Sequence, residues 1–383
     1  MSVTPLGNLA TGRRVVRGPW GTLARMRRAT ARRIRPFLWF LLAGTLVGVA
    51  YGGLLGAMFR GTGLIGSMVG AIDGLTITAP IAGTEVFLLR TRWGRAIQRA
   101  PFLVTFGVKW LVYGMIITAV NLRSPGSLAL GLMSLAAPLP RSLALLSVAF
   151  SFAVAFAFLF VFQVSQMVGP RNLAHVVFGR YHRPHLEDRF FLFVDIVGST
   201  ALAERIGPVA VHRFLAGVFR LAEEPIMNYG AEIYQYVGDE MVLTWTVAEE
   251  RQGARPIACF FAIVAALDEA APEFRRDFGV TPTLRAALHA GPVISGEIGD
   301  TKRDIVFHGD VMNTAARLEQ ATRDLHRTFL ASADSVSRLT GTDLYMLEPL
   351  GPQALRGRAA PVQVYAVTDT RKAGHMRGFA SRR

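Results

Sequence analysis

Apolar and polar positions divide the chain into two unlike halves. Between residues 37 and 169, apolar side chains run almost unbroken in four stretches, 37–59, 64–89, 101–122 and 143–168. A helix needs about 20 such residues to cross the hydrocarbon core of a bilayer, so each stretch predicts a spanning helix. From residue 190 onward the spacing changes. Short runs of strand formers, Phe190–Val194, Ala231–Val237 and Met241–Trp245, alternate with helical spacing over Ala201–Ile206 and Val209–Met227. The pattern predicts a multi-domain chain with a basic arm (1–36) and a helical membrane bundle of four spans (37–169). A polar linker (170–189), a soluble domain of helix and strand (190–370) and a basic tail (371–383) follow. The stretch 127–139 is apolar but short and proline-broken, and reads as an interfacial loop or a half-inserted segment.

The formal net charge of +15 fits either nucleic acid or an anionic membrane surface. The position of the charge favours the membrane and leaves no nucleic-acid partner expected, because basic clusters flank the apolar stretches. Arg25, Arg27, Arg28, Arg32, Arg33 and Arg35 precede the first. Arg90, Arg92, Arg95 and Arg99 lie between the second and third, and Arg171, Arg180 and Arg183 follow the fourth. The other two loops hold little beyond Arg60, Arg123 and Arg141. This bias predicts a multi-pass protein of the cell's inner (plasma) membrane, with the N-terminus and the soluble domain in the cytoplasm and the lipid bilayer as a partner. The first apolar stretch starts too late and runs too long for a cleaved signal peptide. The single cysteine, Cys259, excludes a disulfide framework within one chain and reads as a small buried hydrophobe.

Within the spans, glycines recur every fourth residue at Gly44, Gly48, Gly52 and Gly56, and again at Gly66, Gly70 and Gly74. Small residues on one face let helix backbones approach closely, either between two copies or inside one bundle. Asp73, Glu85 and Lys109 are ionisable groups at membrane depth, where such groups are paired or functional. Glu85 and Lys109 lie at similar depth and are expected to pair. The run from Gly61 to Gly66 fits G-x-G-x-x-G but lacks the strand and βαβ unit a dinucleotide site requires. His175, His182 and His185 in the linker lack cysteine or acidic partners at metal-ligand spacing, so the linker reads as a coupling element.

The soluble half carries the chemistry. Asp195 ends the first strand pattern, and Gly198, Ser199 and Thr200 lead into a helix start. A carboxylate there suits a hard cation, and a helix N-terminus offers free N–H groups to phosphate. Asp239 sits in Gly238-Asp239 between two strand runs, which alone is a type I′ hairpin signal. Paired with Asp195, it becomes the second carboxylate that two-metal phosphoryl chemistry needs. In the block from His308 to Arg317, Asn313 and Arg317 lie one helical turn apart, an amide and a guanidinium that can orient a ribose and meet charge on a phosphate.

In order and spacing these blocks resemble class III nucleotidyl cyclases over residues 190–367. The segment from Phe193 to Thr200 is similar to the family's first metal motif, and the segment from Leu355 to Val362 to its late basic turn. The resemblance implies an α+β catalytic domain with a βαββαβ-type sheet. It implies that Asp195, Asp239 and the Ile196 carbonyl hold two Mg²⁺ or Mn²⁺ ions per site, that Asn313 orients the ribose and Arg317 stabilises the transition state, and that Arg356 contacts the triphosphate. It also implies a homodimer with the site between the two copies, and attack of the ribose 3′-hydroxyl on the α-phosphorus with loss of pyrophosphate.

Two positions depart from the family pattern. Gln235 stands where an adenine-selecting lysine is expected, and Val306 where its Asp or Thr partner is expected. Gln235 can donate and accept hydrogen bonds, whereas the Val306 side chain can do neither. ATP is expected as the family's commoner substrate. A guanylate or mixed-purine cyclase, a catalytically idle nucleotide sensor and a transporter with a regulatory domain are the alternatives.

Overall fold

A computed structural model of the chain describes residues 19–60, 62–87, 101–123, 141–168, 179, 181–247, 253–300, 303–356, 358 and 360–370. The chain forms two compact units, Met1–Met167 and Val168–Arg383.

The first unit contains α1 (Pro19–Arg60), α2 (Gly63–Val86), α3 (Phe102–Arg123) and α4 (Arg141–Val168). They carry four segments long and apolar enough to cross a membrane: Phe37–Met58, Gly63–Val86, Leu103–Asn121 and Leu145–Val164. Because α1 begins at Pro19, the arginines from Arg25 to Arg35 continue the helix of the first span. The stretch 127–139, the loop arginines from Arg90 to Arg99, and Arg171 and Arg180 lie outside the described residues.

The glycine faces close α1 onto α2 inside one chain. A Cβ placed on Gly48 would stand 2.1 Å from the Gly70 carbonyl oxygen, and one on Gly52 would stand 2.2 Å from that of Gly66. Only a hydrogen fits, so the two backbones touch along the stripe. Gly66 and its neighbours are plain helix, which disposes of the dinucleotide-loop pattern. Lys109 reaches Glu85 at 2.9 Å, and the Tyr113 hydroxyl donates to the same carboxylate at 2.9 Å. The expected pair is present, with a tyrosine added.

The second unit is an α+β domain. Its elements are β1 (His185–Ile196), α5 (Ser199–Ile206), α6 (Pro208–Asn228), β2 (Glu232–Val237), β3 (Glu240–Thr246), α7 (Arg255–Phe278), β4 (Leu284–Ile298), β5 (Asp304–His308), α8 (Asp310–Asp324), β6 (Phe329–Ser332), α9 (Ala333–Ser337), β7 (Tyr345–Gln353) and β8 (Val362–Asp369). The strands form one sheet in the order β2-β3-β1-β4-β6-β8-β7, with β5 on β4. Central β1 is antiparallel to both β3 and β4. Its run is apolar on both faces because both faces are covered. Phe190, Leu192, Val194 and Ile196 pack with Phe214, Val218, Phe260 and Ile263 of α6 and α7. Phe191 and Phe193 pack on the opposite side with Val311 and Ala315 of α8. Cys259 is fully buried in the α7 core, as its apolar setting predicts.

β1 starts at His185, earlier than the Phe190 start read from the apolar run. Residues 185–189 alternate outward and inward, so the strand continues where the continuous apolar run does not. Next to this start of β1, residues Ile294–Ile298 of β4 pair with β5. The Phe307 ring of β5 lies 5.0 Å from Tyr234 of β2, although β3, β1 and β4 separate the two strands in the sheet.

Candidate active site

Asp195 sits in the last turn of backbone before β1 ends and is buried, 4% exposed. After it the chain turns through Gly198, whose φ of 74° is open to glycine at little cost, into α5 at Ser199. The Ser199 hydroxyl donates to Asp239 Oδ2, which ties the helix start to the β2–β3 turn. That turn has a positive φ at Gly238 (63°), whereas Asp239 is not among the described non-glycine residues with positive φ. A type I′ turn needs positive φ at both central residues, so this turn is not of that type. The β2–β3 ladder closes directly on either side, Val237 against Glu240. The sequence-derived carboxylates are therefore brought to one place by a strand end and a hairpin tip.

More charge gathers there than the motifs announce. Arg285 of β4 stands in register with Asp195 of β1 and donates to Asp195 Oδ2 at 2.7 Å. Arg323, from the last turn of α8, reaches the same oxygen at 3.2 Å. Glu319, one turn earlier on α8, lies 3.9 Å from Arg285 and 4.0 Å from Arg323. Its Oε1 and the Arg285 Nε are buried without a hydrogen-bond partner. Burial, with Asp195 next to it, pushes the Glu319 carboxyl up to about 7. Glu240 is likewise raised to about 7, by burial first and then by Glu319, Asp195 and Asp239. Four carboxyl groups thus share a partly desolvated pocket, and like charges there oppose full ionisation.

This donor set fits a hard divalent cation. It offers carboxylate oxygens with excess negative charge and a buried acceptor with no partner. Among the described residues no group of three or more His, Cys, Asp or Glu is arranged as an all-side-chain metal site. A hard cation that keeps water needs only one or two carboxylates plus substrate phosphates.

Asn313 and Arg317 project from α8 away from this pocket. At 100° per residue, the pair Glu319 and Arg323 lies about 120° around the helix from the pair Asn313 and Arg317. Asn313 is exposed and Arg317 half-buried. No hydrogen bond or ion pair among the described residues joins either to Asp195 or Asp239. Gln235 is exposed on β2 opposite Val242, and Val306 is half-buried on β5 opposite Gly296. Their immediate neighbours Tyr234 and Phe307 are the rings that touch, so Gln235 and Val306 come from strands held together. Arg356 is exposed. Arg358, two residues on, is anchored instead: it donates to Thr314 Oγ1 at 2.9 Å and lies 3.5 Å from Asp310, both in the first turns of α8.

A second buried charge cluster underlies β2 and β5. Arg189, fully buried, meets Glu187 at 3.0 Å, the Thr244 hydroxyl at 3.0 Å and the Tyr181 hydroxyl at 3.3 Å, and also pairs with Glu232. Its guanidinium lies 4.5 Å from the centre of the Phe307 ring. Sequence reading missed Arg189, Glu240, Arg285, Glu319 and Arg323. Only the spacing of Glu319 and Arg323, four apart on the helix of Asn313 and Arg317, could have marked any of them.

Comparison with known proteins decides the family. Residues 184–369 match the family model described as the adenylate and guanylate cyclase catalytic domain. Adenylate cyclase 2 of Rhizobium meliloti is 33% identical over 305 residues, 79% of this chain and 84% of the relative. The chain belongs to the adenylate and guanylate cyclase family. It is an enzyme of that class, and the match to this relative extends beyond the length of the catalytic unit. A more distant cyclase, adenylate cyclase 1 of the same organism, is 28% identical over 193 residues, 48% of this chain and 28% of the relative. Among solved cyclase structures, adenylyl cyclase CyaB from P. aeruginosa is 25% identical with a TM-score of 0.42, covering 50% of this chain and 98% of that one.

Proposed function

We propose that the chain is a membrane-anchored adenylate cyclase that converts ATP to 3′,5′-cyclic AMP and pyrophosphate at sites shared between two copies of itself. The observation that carries this reading is the division of labour within one chain. Asp195 and Asp239 converge on a pocket that one face of α8 adjoins through Glu319 and Arg323, while Asn313 and Arg317 leave α8 on another face. One copy then lacks a complete site, and a second copy, turned to face the first, supplies what is missing.

In this reading Asp195, Asp239 and the Ile196 carbonyl hold two Mg²⁺ or Mn²⁺ ions. When bound, such cations neutralise phosphate charge and make the ribose 3′-hydroxyl easier to deprotonate. Gly198, Ser199 and Thr200 present the start of α5 to the phosphates. From the partner copy, Asn313 orients the ribose and Arg317 meets the charge that builds at the α-phosphate. Arg356 contacts the triphosphate, and Gln235 and Val306 face the purine. The two relatives named adenylate cyclases support ATP as substrate. The four apolar helices and the flanking arginines support an inner-membrane protein with the catalytic unit in the cytoplasm.

The test is product formation by the purified full-length protein with Mn²⁺, given ATP or GTP separately, beside Asp239→Ala. Cyclic AMP from ATP, lost in the variant, is expected. Cyclic GMP as the main product replaces the ATP reading with the guanylate one, and no product from either nucleotide contradicts catalysis.

A further inference from the structure

Asp195 receives two arginines on a single oxygen, and they are held very differently. Arg285 is part of the sheet, fixed opposite Asp195 by the β1–β4 register, with its side chain 19% exposed. Arg323 hangs from the final turn of α8 with its side chain 55% exposed. Both aim at Oδ2, at 2.7 Å and 3.2 Å. A hard cation at Asp195 needs the same lone pairs and is repelled by a guanidinium a few ångströms away. Arg285, with its side chain mostly buried beside Glu319, has less room to leave. Arg323 needs only rotate its side chain into water, where a guanidinium is well solvated.

The charge count agrees. Asp195 and Glu319 face both Arg285 and Arg323, and Glu240 and Asp239 adjoin them. With no cation present, Arg323 is the more exposed of the two positive groups on Asp195, and it limits the repulsion among the acids. Once a dication is there, that service is redundant and the positive charge opposes binding.

We propose that Arg323 is a displaceable counter-ion, occupying Asp195 when the pocket is metal-free and expelled by the incoming divalent cation. The proposal rests on the reading that Asp195 binds metal. Arg323 is thus a positioning residue for the metal-free state and sets the cation concentration at which the site loads.

The test is an Mn²⁺ titration of the full-length chain without nucleotide, with free Mn²⁺ read by electron paramagnetic resonance. Arg323→Gln is expected to bind Mn²⁺ roughly three- to fivefold more tightly than wild type, the size expected for releasing a half-exposed ion pair. Arg323→Lys, which keeps the charge, is expected to stay near wild type, and added salt to narrow the gap between wild type and Arg323→Gln. Equal or weaker binding by Arg323→Gln overturns the proposal. A wild-type chain that binds no more Mn²⁺ than Asp239→Ala overturns the metal reading itself, and comparing those two curves, without Arg323→Gln, distinguishes that failure from the first.

Discussion

In the proposed reading Gln235 and Val306 face the purine, and they are then the sharpest handle on the substrate. A hydrogen-bonding pocket discriminates strongly because the wrong base leaves buried groups unpaired. Replacing Gln235 by Lys and Val306 by Asp together is expected to raise the kcat/KM ratio of ATP over GTP by about tenfold, the value of one charge-assisted hydrogen bond. An unchanged ratio in a folded variant contradicts the placement of the purine against β2 and β5. A different residue governs acid stability. His289 is 3% exposed on β4, with Nδ1 2.7 Å from the Ser332 hydroxyl. Burial holds it down to about 4, against the upward pull of Asp334, with Arg358 and Arg338 lowering it and Asp310 raising it. The unfolded chain therefore binds this proton more readily than the folded one. The stability from keeping His289 neutral is complete above about 6.5 and is lost as pH falls toward 4. Thermal midpoints between pH 7 and pH 4.5 are expected to fall more steeply in wild type than in His289→Gln, and parallel slopes contradict the assignment. Single residues were legible in the sequence where local pattern marks them. Asp195 ends an apolar strand, and Asp239 follows a glycine between strands. Arg285 carries no such mark, because its contact with Asp195 arises from the register of two strands far apart in sequence.

Among the elements, α8 serves two surfaces. Glu319 and Arg323 lie by the chain's own carboxylate pocket, and Asn313 and Arg317 point elsewhere. Arg358 braces the first turns of the helix through Thr314 and Asp310. The sequence showed the helix and its first pair. It did not show the second pair's partner, which depends on where β1 ends. In α1 and α2 the glycine period was equally plain, but spacing alone cannot say whether the facing stripe belongs to the same chain. The backbone contact answers that, and it makes a graded prediction. Gly48→Ala would place a Cβ 2.1 Å from the Gly70 carbonyl oxygen, so the helices must separate. A loss of about 1–3 kcal/mol is expected from such overpacking, read as a lower thermal midpoint of the full-length protein in detergent. Gly83→Ala, with nothing within 4 Å of its Cβ, is the control and is expected to unfold like wild type. Equal behaviour of the two variants contradicts the zipper. β1 shows why element bounds were less legible than element type. Its first five residues are mostly polar, so they resembled a linker until their pairing with β4 was seen.

The whole molecule has two compact units, and its domain order was readable because a bilayer and an aqueous core demand different hydrophobic periods. Within the first unit, Glu85, Lys109 and Tyr113 form a buried polar cluster. Exchanging Glu85 and Lys109 with each other is expected to keep the chain folded and active, while each single change leaves an unpaired charge and lowers the thermal midpoint. A swapped chain as unstable as the single variants contradicts a simple pair. The central claim concerns the second unit: one chain carries both halves of a site but uses them in different sites. Co-expressing Asp239→Ala with Arg317→Ala, each inactive alone, tests it most directly. If sites are shared between copies, half of the random pairs are mixed and each mixed pair holds one intact site of two, so cyclic nucleotide formation is predicted to return to about a quarter of the wild-type level. A mixture as inactive as either variant alone would contradict the shared site and would place all the working residues within a single chain.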